Sequence, residues 1–301
     1  MSPDYLPRLD SSKRLEPQGT VLHGAGQSAE AFAEYTTRFS ATPPCIYMCY
    51  YGLKRDPAPF FERLRTQLAA YPPGLIPQIG LGMTQDGHPE EHYEHEVARG
   101  DHDAHLDRLV EELAALDRPV FIRIGYEFNG HWNGYQPETY IAAWRHIHGR
   151  IRARALDRVA LAWCFAPEGR DTDFMAYYPG DDFVDWWSID LFSNDQFALP
   201  QTHAFMAEAL AHRFPVLIGE STARSIGVAD PGRAWDEWFA LYFDFIARHP
   251  HVKGLCYINW NWAGFPQWHD WGDCRVTASP ELAVRYGNEL RNPIFQHLGS
   301  A

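Results

Sequence analysis

The sequence predicts a single (β/α)8 barrel. Short apolar runs alternate eight times with longer helical patterns. No Gly-x-Gly-x-x-Gly turn follows any run, as a doubly wound dinucleotide-binding sheet would require. The polar residues gather just after the runs, where the loops of a barrel build its mouth. A chain of 301 residues could hold either one such barrel or two ordinary domains, but no repeat, low-complexity tract or linker divides it. Residues 1–18 read as a polar leader and 19–301 as the barrel.

The first strand is read over 20–24, followed by a helix over 28–39 that opens on Ser28 as its cap. The second pair is a strand over 45–52 and a helix over 57–71 with Pro57 in its first turn. The third strand, 75–83, leads into a long polar loop and a helix over about 102–116. The fourth begins at Pro119, and its helix spans 137–154. A fifth strand over 159–166 has only a short helical segment, 172–178, behind it. The sixth pair is 186–193 with 201–213, the seventh 215–220 with 232–248, and the eighth 252–260 with 280–292.

Composition narrows the function. Of the residues, 46% are hydrophobic and 22% charged, as in a soluble globular protein, and no stretch approaches the length of a membrane span. The formal charge of −13 argues against nucleic acid or an anionic membrane as a partner. The N-terminus lacks the pattern of a signal peptide, so a cytoplasmic location is expected for the chain as given. The five cysteines, an odd number without a Cys-x-x-Cys pair, read as buried thiols. Aromatics reach 15%, with 11 Trp and 15 Tyr, and such flat faces with a polar handle suit sugar rings, although some of them must simply fill the core.

The chemistry concentrates in PVFIRIGYEFNGHWNGY, residues 119–135. Alternation puts Val120, Ile122, Ile124 and Tyr126 on one strand face and Phe121, Arg123, Gly125 and Glu127 on the other. The first set suits a covering layer of helices, whereas Arg123 and Glu127 could be buried only with partners. Glu127 ends the fourth strand, and Glu220, in Pro-Val-Leu-Ile-Gly-Glu-Ser, ends the seventh. Two carboxylates facing each other across a barrel mouth are what glycosidic cleavage needs, one to protonate the leaving oxygen and one to attack the anomeric carbon. Loop acids without catalytic duty remain the ordinary alternative.

The segment from Gly100 to Arg152 resembles the acid/base region of glycoside hydrolase family 26, within a clan of retaining (β/α)8 glycosidases. Arg123, Glu127, Asn129, Gly130, Trp132 and Arg145 follow that family's order, and the approach to the sixth strand, Tyr178-Pro-Gly-Asp-Asp-Phe-Val-Asp-Trp-Trp, is similar too. The resemblance implies Glu127 as acid/base, Glu220 as nucleophile, and a β-linked oligo- or polysaccharide as substrate. β-Mannan is the first expectation, with β-glucan or β-1,3-xylan next. Two positions depart from the pattern: Tyr126 stands where the family usually has His, and Phe192 where a Tyr commonly bonds the nucleophile.

Around this pair, His131, Asn129 and Asn133 are expected to bond sugar hydroxyls, position the acid or cap the loop. Trp163, Trp260 and Trp262 are read as candidate sugar platforms or core fillers. Tyr257 and Asn259 share a strand face that could point into the barrel, and His23 could line its floor. The loop containing His88, His92, His95, His102 and His105 has the residue types of a metal site. His88 and His92 could share one helical face, but HPEEHYEHE is not His-Glu-x-x-His, so a solvated loop beside the cleft is preferred, and no metal or cofactor is expected. Ser221 lacks the Gly-x-Ser-x-Gly setting of a serine nucleophile. A catalytically silent carbohydrate-binding barrel, and then a metal-dependent hydrolase, are the competing readings.

Overall fold

The computed structural model describes residues 13–85, 88–168 and 172–299, so residues 1–12 of the expected leader lie outside the described residues. Eight parallel strands form a closed barrel: β1 (Val21–Gly26), β2 (Ile46–Gly52), β3 (Ile76–Gly82), β4 (Val120–Ile124), β5 (Val159–Phe165), β6 (Trp186–Leu191), β7 (Val216–Ser221) and β8 (Val252–Ile258). Closure is direct, since β1 pairs with β2 through Gly24 and Ile46 and with β8 through Leu22 and Gly254. All eight expected strands are found, most of them a residue or two shorter.

The helices follow from local sequence. In α1 (Ala29–Arg38) the Ser28 hydroxyl accepts from Ala31 N, and α2 (Pro57–Ala69) has Asp56 as its cap with Pro57 in its first turn. The polar loop after β3 holds a short helix the sequence did not signal, α3 (Glu94–Arg99), before α4 (Asp103–Leu116). The next helices are α5 (Pro137–Ala153) and α6 (Pro200–Ala211), while the described residues behind β5 hold only two 3-10 turns, at Phe174–Tyr177 and Asp181–Phe183, before β6. Behind β7, α7 (Pro231–Ala234) and α8 (Ala240–Arg248) join through a π-helical turn at Trp235–Phe239. After α9 (Pro280–Leu290), a two-residue strand, β9 (Phe295–Gln296), pairs with Val21 and Leu22 at the foot of the barrel. No helix among the described residues is long and apolar enough to cross a membrane.

Two irregularities aim the side chains at the mouth. In β7, Ile218 and Glu220 pair with Ile189 and Asp190 of β6, leaving Gly219 as an extra residue without a partner. Such a bulge rotates the residues beyond it. Glu220 turns inward, while Ser221 faces α8 and bonds the Tyr242 hydroxyl at 3.0 Å. At the end of β4, Gly125 (φ 50°) and Glu127 (φ 52°) both adopt left-handed backbone, which corrects the expected alternation. Tyr126, assigned to the outer face, instead lies beside the Arg123 guanidinium, 5.0 Å from its ring centre.

Candidate active site

Arg123 is the pivot of the mouth. Fully buried on β4, it donates from Nη1 to Asp190 Oδ2 at 2.8 Å and from Nη2 to Glu220 Oε1 at 2.6 Å. A buried cation with two charge-assisted bonds holds both carboxylates in place. Cys164 of β5 adds a thiol bond to Asp190 Oδ2 at 3.2 Å. Burial pushes the Asp190 carboxyl up to about 7, against the pull of Arg123. Asp190 is a member of this cluster that sequence reasoning left out of the site; its signal was inward alternation with Trp186 and Ser188 on β6.

Gly219 makes room for this arrangement. A Cβ there would fall 2.7 Å from Ser188 Oγ, 2.8 Å from Arg123 Cδ and 2.8 Å from Asp190 Oδ1. Behind it, Gln78 of β3 donates to the Gly219 carbonyl at 2.9 Å and accepts from the Cys256 thiol. All five cysteines are buried free thiols, as expected.

Glu127 sits in a different environment. Burial, reinforced by the negative charges of Glu220 and Asp190, raises its pKa well above the ordinary carboxyl range, and the indole of Trp132 pulls the other way. That indole Nε1 donates to Glu127 Oε2 at 2.7 Å. The left-handed turn is clasped by Asn133, whose Nδ2 donates to the Tyr126 and Glu127 carbonyls at 2.9 and 3.0 Å. Asn129 spends both ends of its amide on Ala166, donating to its carbonyl and accepting from its N–H, and so ties the acid loop to the end of β5. Arg145 on α5 does similar work at a distance, donating twice to the Pro179 carbonyl. His131 is exposed on the loop beside Glu168.

A cleft of about 850 Å³ lies over the ends of β2 and β3, walled by Tyr50, Tyr126, Lys54, Gln85, Glu91 and His95, among others, and it meets the cluster through Tyr50 and Tyr126, whose rings flank the Arg123 guanidinium. His88 and His92 do not share a helical face, because a 3-10 turn at Pro89–Glu91 separates them. Ligand atoms of His92, Glu94 and His95 lie within 4.8 Å of one another, and so do those of His88, Glu90 and Glu91. The Glu94 carboxylate is fully buried and already accepts from His92 Nδ1 at 2.7 Å, Thr139 Oγ1 at 2.8 Å and Gln136 N at 3.2 Å. Those bonds pin α3 to α5.

Several expected site residues lie elsewhere. Trp163 is in the middle of β5 and faces the helices, stacked on Phe128 at 4.4 Å and edge-on to Trp187 at 4.8 Å; it is core, not platform. Tyr257 also points outward, into Trp238, Phe239 and Tyr286, with its hydroxyl bound to the Cys274 carbonyl. Asn259 is consumed by Thr277. His23 does not line the floor: it is buried behind β1 between Tyr35 and His297. Trp262 packs against Trp268 and Trp271 inside the loop after β8 and is 5% exposed. Trp260, half-buried beyond the end of β8 and stacked on Phe265, is the candidate platform that keeps some exposure. Trp163, Tyr257 and His23 were read without knowing which face of the strand turned to the helices.

The model of glycosyl hydrolase family 26 matches residues 87–218, a stretch that contains Arg123, Glu127 and Asp190. The chain is 28% identical to a β-1,3-xylanase of Alcaligenes sp over 94% of its own length and 66% of that protein. It is 27% identical to the β-1,3-xylanase TXYA of Vibrio sp over 94% of its own length and 67% of that protein. It thus spans about two thirds of these relatives. Among solved structures, a family 26 β-mannanase from Bacteroides ovatus superposes with a TM-score of 0.67 at 17% identity, covering 94% of this chain and 92% of that one. The chain is thus similar to glycosyl hydrolase family 26 over residues 87–218, and it shares the barrel fold of that family's solved structures.

Proposed function

We propose that the chain is a retaining glycoside hydrolase of β-linked glycans in which Glu127 is the acid/base and Glu220 the nucleophile. The observation that carries this reading is the unequal treatment of two carboxyl groups at one mouth. Burial and neighbouring negative charge keep the proton on Glu127, while Arg123 pairs directly with Glu220. A donor acid beside a paired carboxylate is the division of labour that double displacement requires.

In the first step a Glu220 oxygen lone pair forms a bond to the anomeric carbon. The glycosidic C–O bond breaks, its electron pair stays on the leaving oxygen, and that oxygen takes the Glu127 proton. In the second step Glu127, now ionised, takes a proton from water, whose oxygen attacks the anomeric carbon. The bond to Glu220 breaks and both glutamates return to their starting states.

For the substrate we put β-1,3-xylan first, because two relatives named for that activity match nearly the whole chain. β-Mannan is the second reading, supported by the name of the superposed structure. The test is to incubate wild type and Glu127→Gln with β-1,3-xylan, β-mannan and mixed-linkage β-glucan and resolve the products by size and anomeric configuration. Wild type should release short oligosaccharides of retained configuration from one of them, and Glu127→Gln should be slower by at least about 100-fold. Inverted product would overturn the nucleophile, and binding without turnover on all three would favour a silent carbohydrate-binding barrel.

A further inference from the structure

We infer that His92, Glu94 and His95 form a binding site for a divalent transition-metal ion, zinc by preference, in the wall of the cleft. One ligand atom from each of the three lies within 4.8 Å of the other two. The inference stands apart from the roles of Glu127 and Glu220. Its carboxylate is oriented in advance: Glu94 is fully buried at the start of α3, and its Oε1 accepts from Thr139 Oγ1 at 2.8 Å and from Gln136 N at 3.2 Å, at the start of α5. Its Oε2 accepts from His92 Nδ1 at 2.7 Å, and no Lys or Arg pairs with it among the described residues. Neutral donors thus hold one oxygen and an imidazole meets the other, the kind of support that orients a metal-binding carboxylate.

His95 separates a metal site from a merely hydrogen-bonded loop. Thr139, Gln136 and His92 are enough to hold Glu94, and His95 makes no hydrogen bond or ion pair among the described residues. Its ring nevertheless stands edge-on to that of His92, with centres 5.7 Å apart, half-buried in the cleft wall. The His92 ring is itself closely packed, for a Cβ at Gly134 would come 3.1 Å from its Cδ2. Two imidazoles and a carboxylate are the donor set of a three-ligand zinc site with one position left to water, and imidazole nitrogen favours zinc over magnesium or calcium. Two ligands on one tetrahedral zinc lie roughly 3.3 Å apart. His92 Nδ1 and Glu94 Oε2 therefore need to part only slightly to admit the ion, and the proton of their bond leaves to solvent. Glu90 and Glu91 on the same wall attract the cation.

The test is calorimetric titration of the untagged, chelator-treated chain with ZnCl2 and, separately, with CaCl2, together with the visible spectrum of the Co2+ form. One zinc ion per chain should bind, calcium should bind far more weakly, and Co2+ should give the intense visible bands of a four-coordinate site. His95→Ala removes a side chain that makes no hydrogen bond, so the Tm of the metal-free protein should stay unchanged. Zinc affinity should nevertheless fall by at least about 100-fold, more than the loss of a residue that only orients a ligand, and the Co2+ bands should disappear. His88→Ala alters the exposed set of His88, Glu90 and Glu91 instead, and should bind zinc as wild type does. The inference is overturned if no stoichiometric zinc binds, if calcium binds in preference, if His95→Ala keeps the wild-type affinity, or if the loss follows His88→Ala and not His95→Ala.

Discussion

The indole N–H of Trp132 donates to Glu127 Oε2 at 2.7 Å, so the acid is steadied by a residue five places further along its own loop. A bond of this kind favours the ionised carboxylate and partly offsets the burial that raises the Glu127 pKa. Trp132→Phe removes it and keeps an aromatic ring. Glu127 then holds its proton to higher pH, so the basic limb of the kcat/KM profile moves to the alkaline side, while kcat/KM at the optimum falls about tenfold. A pH series on both proteins checks this, and an unmoved basic limb would separate Trp132 from the titrating group.

Stability should depend on pH through the same carboxyl. Its folded pKa lies above its unfolded value of about 4.3, so the folded state binds the extra proton. Below about pH 4 both states are protonated and the group costs nothing; as pH rises toward the folded pKa, stability is lost. Glu127→Gln stays neutral throughout. Its Tm should therefore gain on wild type progressively as pH rises above about 4, measured by thermal unfolding across a pH series.

Removing the pivot should be costly. Arg123→Met leaves Asp190 and Glu220 buried without their cation, which should destabilise the fold by about 3–5 kcal/mol in urea unfolding. Adding Asp190→Asn removes one orphaned charge and should recover part of that loss. A double variant no more stable than the single would show that the pairing is not the source.

Gly219→Ala tests the close approach in β7. With three heavy atoms 2.7–2.8 Å from the new Cβ, Arg123 or the strand must shift. A displacement of that order should lower kcat by about 100-fold even where the protein still folds. Activity within a few-fold of wild type would mean that the bulge absorbs the methyl.

Trp163→Ala separates core from platform. Fully buried among Phe128, Trp187 and Phe205, Trp163 should cost about 3–5 kcal/mol when truncated, with KM for the polysaccharide unchanged. A raised KM without loss of stability would restore the platform reading.

The strands, the helix caps and the two glutamates were legible because each leaves a local mark: an apolar run, a Ser or Pro at a helix start, an acid after a Gly. Orientation was not. Alternation carried along β4 correctly to Arg123 and then misplaced Tyr126, because the left-handed Gly125 and Glu127 reset the phase. The bulge at Gly219 exists only relative to β6, so β7 alone cannot announce it. Asp190 went unassigned for a related reason, as it matters through Arg123, 67 positions away along the chain. Trp163, Tyr257 and His23 were misplaced because residues that line a barrel and residues that back it look alike until the sheet closes.

The left-handed backbone at Glu127 also bears on how such a protein can drift. Glycine or asparagine tolerates that conformation better than glutamate, and neither would bury a second acid beside Glu220 and Asp190. The glutamate is thus held at this position against the preference of its own fold. A lineage released from selection at this position would gain stability by losing the glutamate, and would arrive at a barrel whose cleft is otherwise intact.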